Sequence, residues 1–111
     1  MLTENIDDVT YLYITYSDIS DLTGIEDFTA LTYMYCWGNE LTSLDLSSNT
    51  ELQYLYADDN QLTTLDVSGS TDLERMHCPG NQLTTLDLSA NTNLNQVRVQ
   101  NNHCLLYTSD A

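Results

Sequence analysis

The sequence predicts a mostly β solenoid, with a parallel sheet on the front and short extended segments and turns on the back. Three observations carry this reading. Leucines at positions 31, 52, 73 and 94 open segments of one form at a fixed 21-residue period. Over the first half of each segment apolar residues alternate with polar or aromatic ones, as a strand with one buried face requires. The second half repeats that alternation among Thr, Ser and Asp, residues that suit strands and turns better than helix interiors. With 111 residues, 41% of them hydrophobic and 18 of them leucine, the chain can bury one core, so its acidity does not signify disorder.

The elements follow in order. Residues 1–8 form a lead-in. A 22-residue unit, VTYLYITYSDISDLTGIEDFTA, starts at Val9, and its second half admits a helical turn near Gly24-Ile25. Three complete 21-residue units start at Leu31, Leu52 and Leu73, and a fourth opens at Leu94 as LNQVRVQNN before the pattern stops. Met34 and Cys36, Leu55 and Ala57, Met76 and Cys78, and Val97 and Val99 are the inward residues of successive front strands. Stacking sets those strands about 4.7–4.9 Å apart. Asn39, Asn60, Asn81 and Asn102 fall at the turn out of each strand, where a short amide satisfies backbone groups left unpaired by the bend. Each unit divides again, because LTSLDLSSN from Leu41, LTTLDVSGS from Leu62 and LTTLDLSAN from Leu83 fit the same pattern. The back therefore has no room for a full helix.

From Leu31 onward every unit fits L-x-x-L-x-L-x-x-N-x-L, with Met, Cys, Ala or Val replacing some leucines, and the Val9 unit keeps the same apolar spacing in its first half. Over residues 9 to about 104 the chain resembles the leucine-rich repeat family, in its short 21–22-residue bacterial form. The stretch ISDLTGIEDFTALTY looks internalin-like, and the NQLTTLDLS units look like repeats of Bacteroidetes surface proteins. The resemblance implies a leucine-rich repeat solenoid, α/β by convention and mostly β here. It also implies a non-catalytic interaction module at the cell surface or secreted.

Residues that suggest chemistry resolve into repeat positions. Cys36 and Cys78 hold the third apolar slot of their strands, two coils or roughly 9–10 Å apart, beyond the reach of a disulfide. Cys104 takes the slot held by Leu41, Leu62 and Leu83. His77 and Cys78 are strand neighbours and point to opposite faces, so they cannot share a zinc ion, and no metal site or cofactor is expected. No nucleophile, histidine and carboxylate are spaced for catalysis, so the chain is not read as an enzyme. Asp45, Asp66 and Asp87 recur at one position and form an acidic column on the back, solvated in the simpler reading and holding calcium in the other.

The front face is the distinctive feature. One outward column holds Tyr11, Tyr33, Tyr54, Arg75 and Gln96, and the next holds Tyr13, Tyr35, Tyr56, His77 and Arg98, with Trp37 and Tyr16 assigned to the same face. Seven of the eight tyrosines and both arginines gather there, in a chain with 17 acidic residues, no lysine and a formal charge of −15. Such a charge disfavours nucleic acid and anionic membranes. The expected partner is a protein bound on an aromatic-rich concave face, with a glycan as the variant and a structural spacer without a ligand as the alternative. A monomer is expected, with end-to-end association through exposed strand edges. The chain reads as a fragment of a secreted or surface protein. Residues 105–111 depart from the repeat and resemble translated adapter sequence, so they are expected to lie outside the fold.

Overall fold

The computed structural model describes residues 8–102 and the backbone of residues 105–108. The front sheet comprises five parallel strands, β1 (Tyr11–Tyr13), β2 (Tyr33–Tyr35), β4 (Tyr54–Tyr56), β6 (Arg75–His77) and β8 (Gln96–Arg98), in that order. The back holds β3 (Ser43–Asp45) paired with β5 (Thr64–Asp66), and β7 (Thr85–Leu88) paired with β9 (Leu105–Thr108). All pairings are parallel. This is a solenoid of leucine-rich repeat type. The expected helical turn near Gly24 is a single 3₁₀ turn, Ile25–Asp27, entered through Gly24 at φ 104°.

The repeat dictates the core. Leu31, Met34, Cys36, Leu41, Leu44 and Leu46 of the first 21-residue coil are buried, and so are their counterparts Leu52 to Val67 and Leu73 to Leu88 at the same spacings. Apart from Ile25, every buried apolar side chain among the described residues belongs to these three coils. Leu12, Ile14, Leu94, Val97 and Val99 at the two ends are only partly buried, because an end coil has a neighbour on one side. Burial of one large apolar side chain contributes about 1.5–3 kcal/mol, so the three inner coils contribute more than the two end coils.

Two ladders of polar side chains close the coils. Asn60 donates from Nδ2 to Cys36 O at 3.0 Å and Ala57 O at 3.2 Å, and its Oδ1 accepts from Leu41 N at 3.1 Å. Asn81 repeats the arrangement with Ala57 O, Cys78 O and Leu62 N, and Asn39 and Asn102 do so at the ends. At the back turn Asn49 Nδ2 donates to Ile25 O and Phe28 O, and Asn91 Nδ2 to Val67 O and Ser70 O. Ser70, one atom group shorter, takes the same position between them against Leu46 O and Asn49 O.

The end of the chain differs from its expectation. Residues 105–108, expected outside the solenoid, pair with β7, with Leu106 opposite Leu86. The offset from Thr85 to Leu105 is 20 residues, whereas Ser43 to Thr64 is 21, so this coil is one residue short. An unpaired β7 edge is a template for another strand, and this segment fills it. The expectations for residues 1–7, for His103 and Cys104, and for residues 109–111 lie outside the described residues.

Candidate functional site

Strand alternation determines the front face. With Met34, Leu55 and Met76 buried beneath, the residues flanking them turn outward in register: Tyr11, Tyr33, Tyr54, Arg75 and Gln96 in one column, Tyr13, Tyr35, Tyr56, His77 and Arg98 in the next. The structure thus brings together all ten predicted site residues, since Trp37 follows one step beyond Tyr35. Tyr11 and Tyr13 are 50% and 56% exposed, and the inner tyrosines are half-buried.

The rings form a continuous strip. Tyr33 stacks on Tyr54 with centroids 4.8 Å apart, and Tyr35 meets Tyr56 edge-on at 4.9 Å. Trp37 lies 5.7 Å from Tyr35 and 5.8 Å from Tyr13. Burial among these neighbours raises the Tyr35 hydroxyl above its ordinary pKa. The strip ends in cations. The Arg75 guanidinium carbon sits 4.8 Å from the Tyr54 centroid, and the neighbouring Tyr56 and Tyr54 hold its pKa above the ordinary arginine value. His77 packs 4.4 Å from Tyr56 and shares a 2.6 Å hydrogen bond between Nε2 and Gln96 Oε1.

Tyr16 departs from its assignment. It lies past β1 at φ 51°, with its ring over Gly38, and it is 74% exposed. Its position recurs in each coil as Gly38 (φ 75°), Asp59 (57°), Gly80 (71°) and Asn101 (61°), a left-handed step that turns the chain out of the front sheet. Glycine and asparagine adopt that step readily, so the repeat of G, D, G and N at 21-residue spacing was its signal.

Asp58 lies beside the strip. Its carboxylate is half-buried, with Oδ1 lacking a partner, and burial pushes its pKa above the usual carboxylate range. Beneath it, burial and then the Asp58 charge push the Cys36 thiol up to about 12. Cys36 and Cys78 are both fully buried, and His77 and Cys78 do face opposite sides.

The back acids accept hydrogen bonds from the turns that follow them. In Asp45, Oδ1 accepts from Ser47 N at 2.9 Å and from Ser47 Oγ at 2.6 Å; Asp66 does the same with Ser68, and Asp21 with Thr23. Asp87 Oδ1 accepts from Ser89 N at 2.9 Å, and such bonds hold Asp21, Asp45 and Asp87 below the usual carboxylate range. The D-x-S/T spacing carried that information. A groove of about 350 Å³ near Asp21, Glu26 and Asp45 is lined by these acids. Among the described residues no three His, Cys, Asp or Glu side chains gather as a metal site, and no helix is long and apolar enough to cross a membrane.

Comparison with known proteins accords with this architecture. A solved domain of internalin J from Listeria monocytogenes superposes over 89% of this chain with a TM-score of 0.87 and 43% sequence identity. The chain is an internalin-like leucine-rich repeat protein. Curated internalin J of the same species is 47% identical over 47 residues, 42% of this chain. Internalin C2 shares the fold at a TM-score of 0.79 over 89% of the chain, with 24% identity. No family model matches. The internalin-like chain spans 22% of the solved internalin J chain and 5% of the curated protein. The solved internalin J domain is described as including a cysteine ladder. Here Cys36 and Cys78 occupy one inward slot with Ala57 between them.

Proposed function

We propose that this chain is a non-catalytic protein-interaction module that binds through its aromatic front face and acts in a secreted or cell-surface bacterial protein. The observation that carries the reading is the placement of six strand tyrosines, Trp37 and both arginines on one sheet of a chain whose charge is −15. Tyr, Trp and Arg are the residues that dominate binding energy at protein interfaces, and an exposed contiguous strip of them is uncommon without a partner. Internalin-like solenoids of the same architecture support an interaction role over an enzymatic one.

A second reading has its own support. Tyr33, Tyr35, Tyr54 and Tyr56 are partly buried with their rings in contact, and same-face pairs of this kind contribute ~0.2–1 kcal/mol each to a sheet. A spacer stiffened by a tyrosine ladder needs no ligand. Selection of binders from a random peptide library against the intact chain separates the two. The interaction reading expects Tyr35→Ala with Tyr56→Ala to weaken the binders at least tenfold, with circular dichroism unchanged, while Thr64→Ala with Thr85→Ala on the back leaves them intact. Equal loss from both pairs, or collapse of the fold in the tyrosine pair, favours the spacer. Selective capture of neutral oligosaccharides by the same face favours the glycan variant.

A further inference from the structure

We infer that the β6–β8 end of the front face is an anion-binding subsite that takes a side-chain carboxylate of a protein partner, while the tyrosine strip takes apolar residues about three positions away. The inference rests on the interaction reading and gives the partner's chemistry.

The subsite is built from two neighbouring strands. Arg75 and His77 alternate on β6, and the register places Gln96 and Arg98 of β8 directly beside them. Two of these side chains are held. Ring contact with Tyr54 seats the Arg75 guanidinium, and Gln96 fixes the His77 ring. A guanidinium seated in this way presents its N–H groups with less freedom to lose on binding. Arg98 is exposed beside them. Both arginines of the chain are here, although 17 acidic side chains are distributed over the rest. The acids acting on them are Glu74 for Arg75 and the half-buried Asp58 for Arg98, and among the described residues neither arginine forms an ion pair within 4.0 Å.

The alternatives fit less well. A cationic ligand would meet Arg75 already seated on Tyr54, with Arg98 adding repulsion. A sulfated or uronic polysaccharide would carry its charges over the surrounding acidic surface. A single carboxylate feels mainly the field within a Debye length of about 8 Å. Neighbouring residues of the same segment then cross the sheet. Two strand spacings, roughly 9.5 Å, separate β6 from β2, and an extended peptide covers that in about three residues at 3.3–3.6 Å each. The expected motif is Asp or Glu with an aromatic or aliphatic residue about three positions away.

The test is a random peptide library selected on the intact chain, followed by synthetic versions of the enriched peptides. The expected result is enrichment of that motif, an approximately tenfold loss of affinity when its acid is replaced by the amide, and a similar loss in Arg98→Gln. The two changes together should cost little more than either alone, as a shared contact requires. Enriched peptides without an acid, or insensitive to Arg98→Gln yet lost in Tyr35→Ala with Tyr56→Ala, overturn the subsite and leave the interaction reading standing. Peptides insensitive to all of these variants, or no binder at all, overturn both. A heparin fragment that binds through Arg98 more tightly than any selected peptide overturns the choice of a protein carboxylate.

Discussion

Replacing Asn60 by alanine examines the polar spine of the solenoid. Asn60 is 6% exposed and bonds both the preceding coil and its own turn. Its loss does not orphan every partner equally. Cys36 O still receives Asn39 Nδ2 at 3.0 Å, and Ala57 O still receives Asn81 Nδ2 at 3.0 Å. The Leu41 N–H, whose residue is fully buried, loses Oδ1 and has no other acceptor among the described residues. Leaving one buried donor unsatisfied costs about 1–3 kcal/mol, and two lost side-chain donations add about 1 kcal/mol each, so Asn60→Ala should cost about 3–5 kcal/mol. That is a large share of the roughly 5–15 kcal/mol that stabilises a domain. Asn102→Ala, at the half-buried end, should cost about 1 kcal/mol because water can reach the freed groups. Urea unfolding followed by far-ultraviolet circular dichroism measures both. Equal midpoints for the two variants, or a loss below ~1 kcal/mol at Asn60, would refute the assignment of the ladder as the main polar support.

Three further outcomes follow from particular contacts. A methyl group at Gly69 would collide with the Ser47 carbonyl of the preceding coil, so Gly69→Ala should lose about 1–3 kcal/mol in the same assay, and a loss below ~0.5 kcal/mol would contradict the close approach. The Asp45 carboxylate is held below its ordinary pKa by Ser47, so its bonds stabilise the fold above the unfolded value of about 3.9 and that contribution disappears as pH falls through the lower folded value. Asp45→Ala should therefore lower the urea midpoint at pH ~7 and leave it unchanged at pH ~2, and a pH-independent difference would count against the carboxylate's role. Asp58 has the opposite sign: burial raises its pKa, so the charged form opposes folding above that value. Asp58→Asn should raise the midpoint at neutral pH by a few tenths of a kcal/mol, discounted for its half-exposed setting, with the gain vanishing in acid. A loss of stability at neutral pH would show that the charge is needed.

Much of this molecule was legible in its sequence because burial here is nearly binary. A 21-residue period and strict alternation leave one way to bury Leu31, Met34, Cys36 and their counterparts, and that choice sends Tyr33, Tyr35, Tyr54 and Tyr56 outward in columns. What periodicity does not encode is the direction of polar side chains at turns. Asp45 and Asp66 were visible as a column, but their use as acceptors for Ser47 and Ser68 depends on turn geometry. Tyr16 follows the aromatic pattern in composition yet occupies the left-handed step that Gly38 and Gly80 take elsewhere. The pairing of residues 105–108 with β7 was hidden for a different reason. A coil shortened by one residue breaks the period by which the units are recognised, while backbone pairing needs no particular side chain.

Amide hydrogen exchange of the intact chain, with and without a peptide selected on it, tests the central claim most directly. Binding on the aromatic and cationic front face predicts new protection at Tyr11–Tyr13, Tyr33–Tyr35, Tyr54–Tyr56, Arg75–His77 and Gln96–Arg98, with β3 and β5 unchanged. Protection confined to Ser43–Asp45 and Thr64–Asp66 on the back would contradict it.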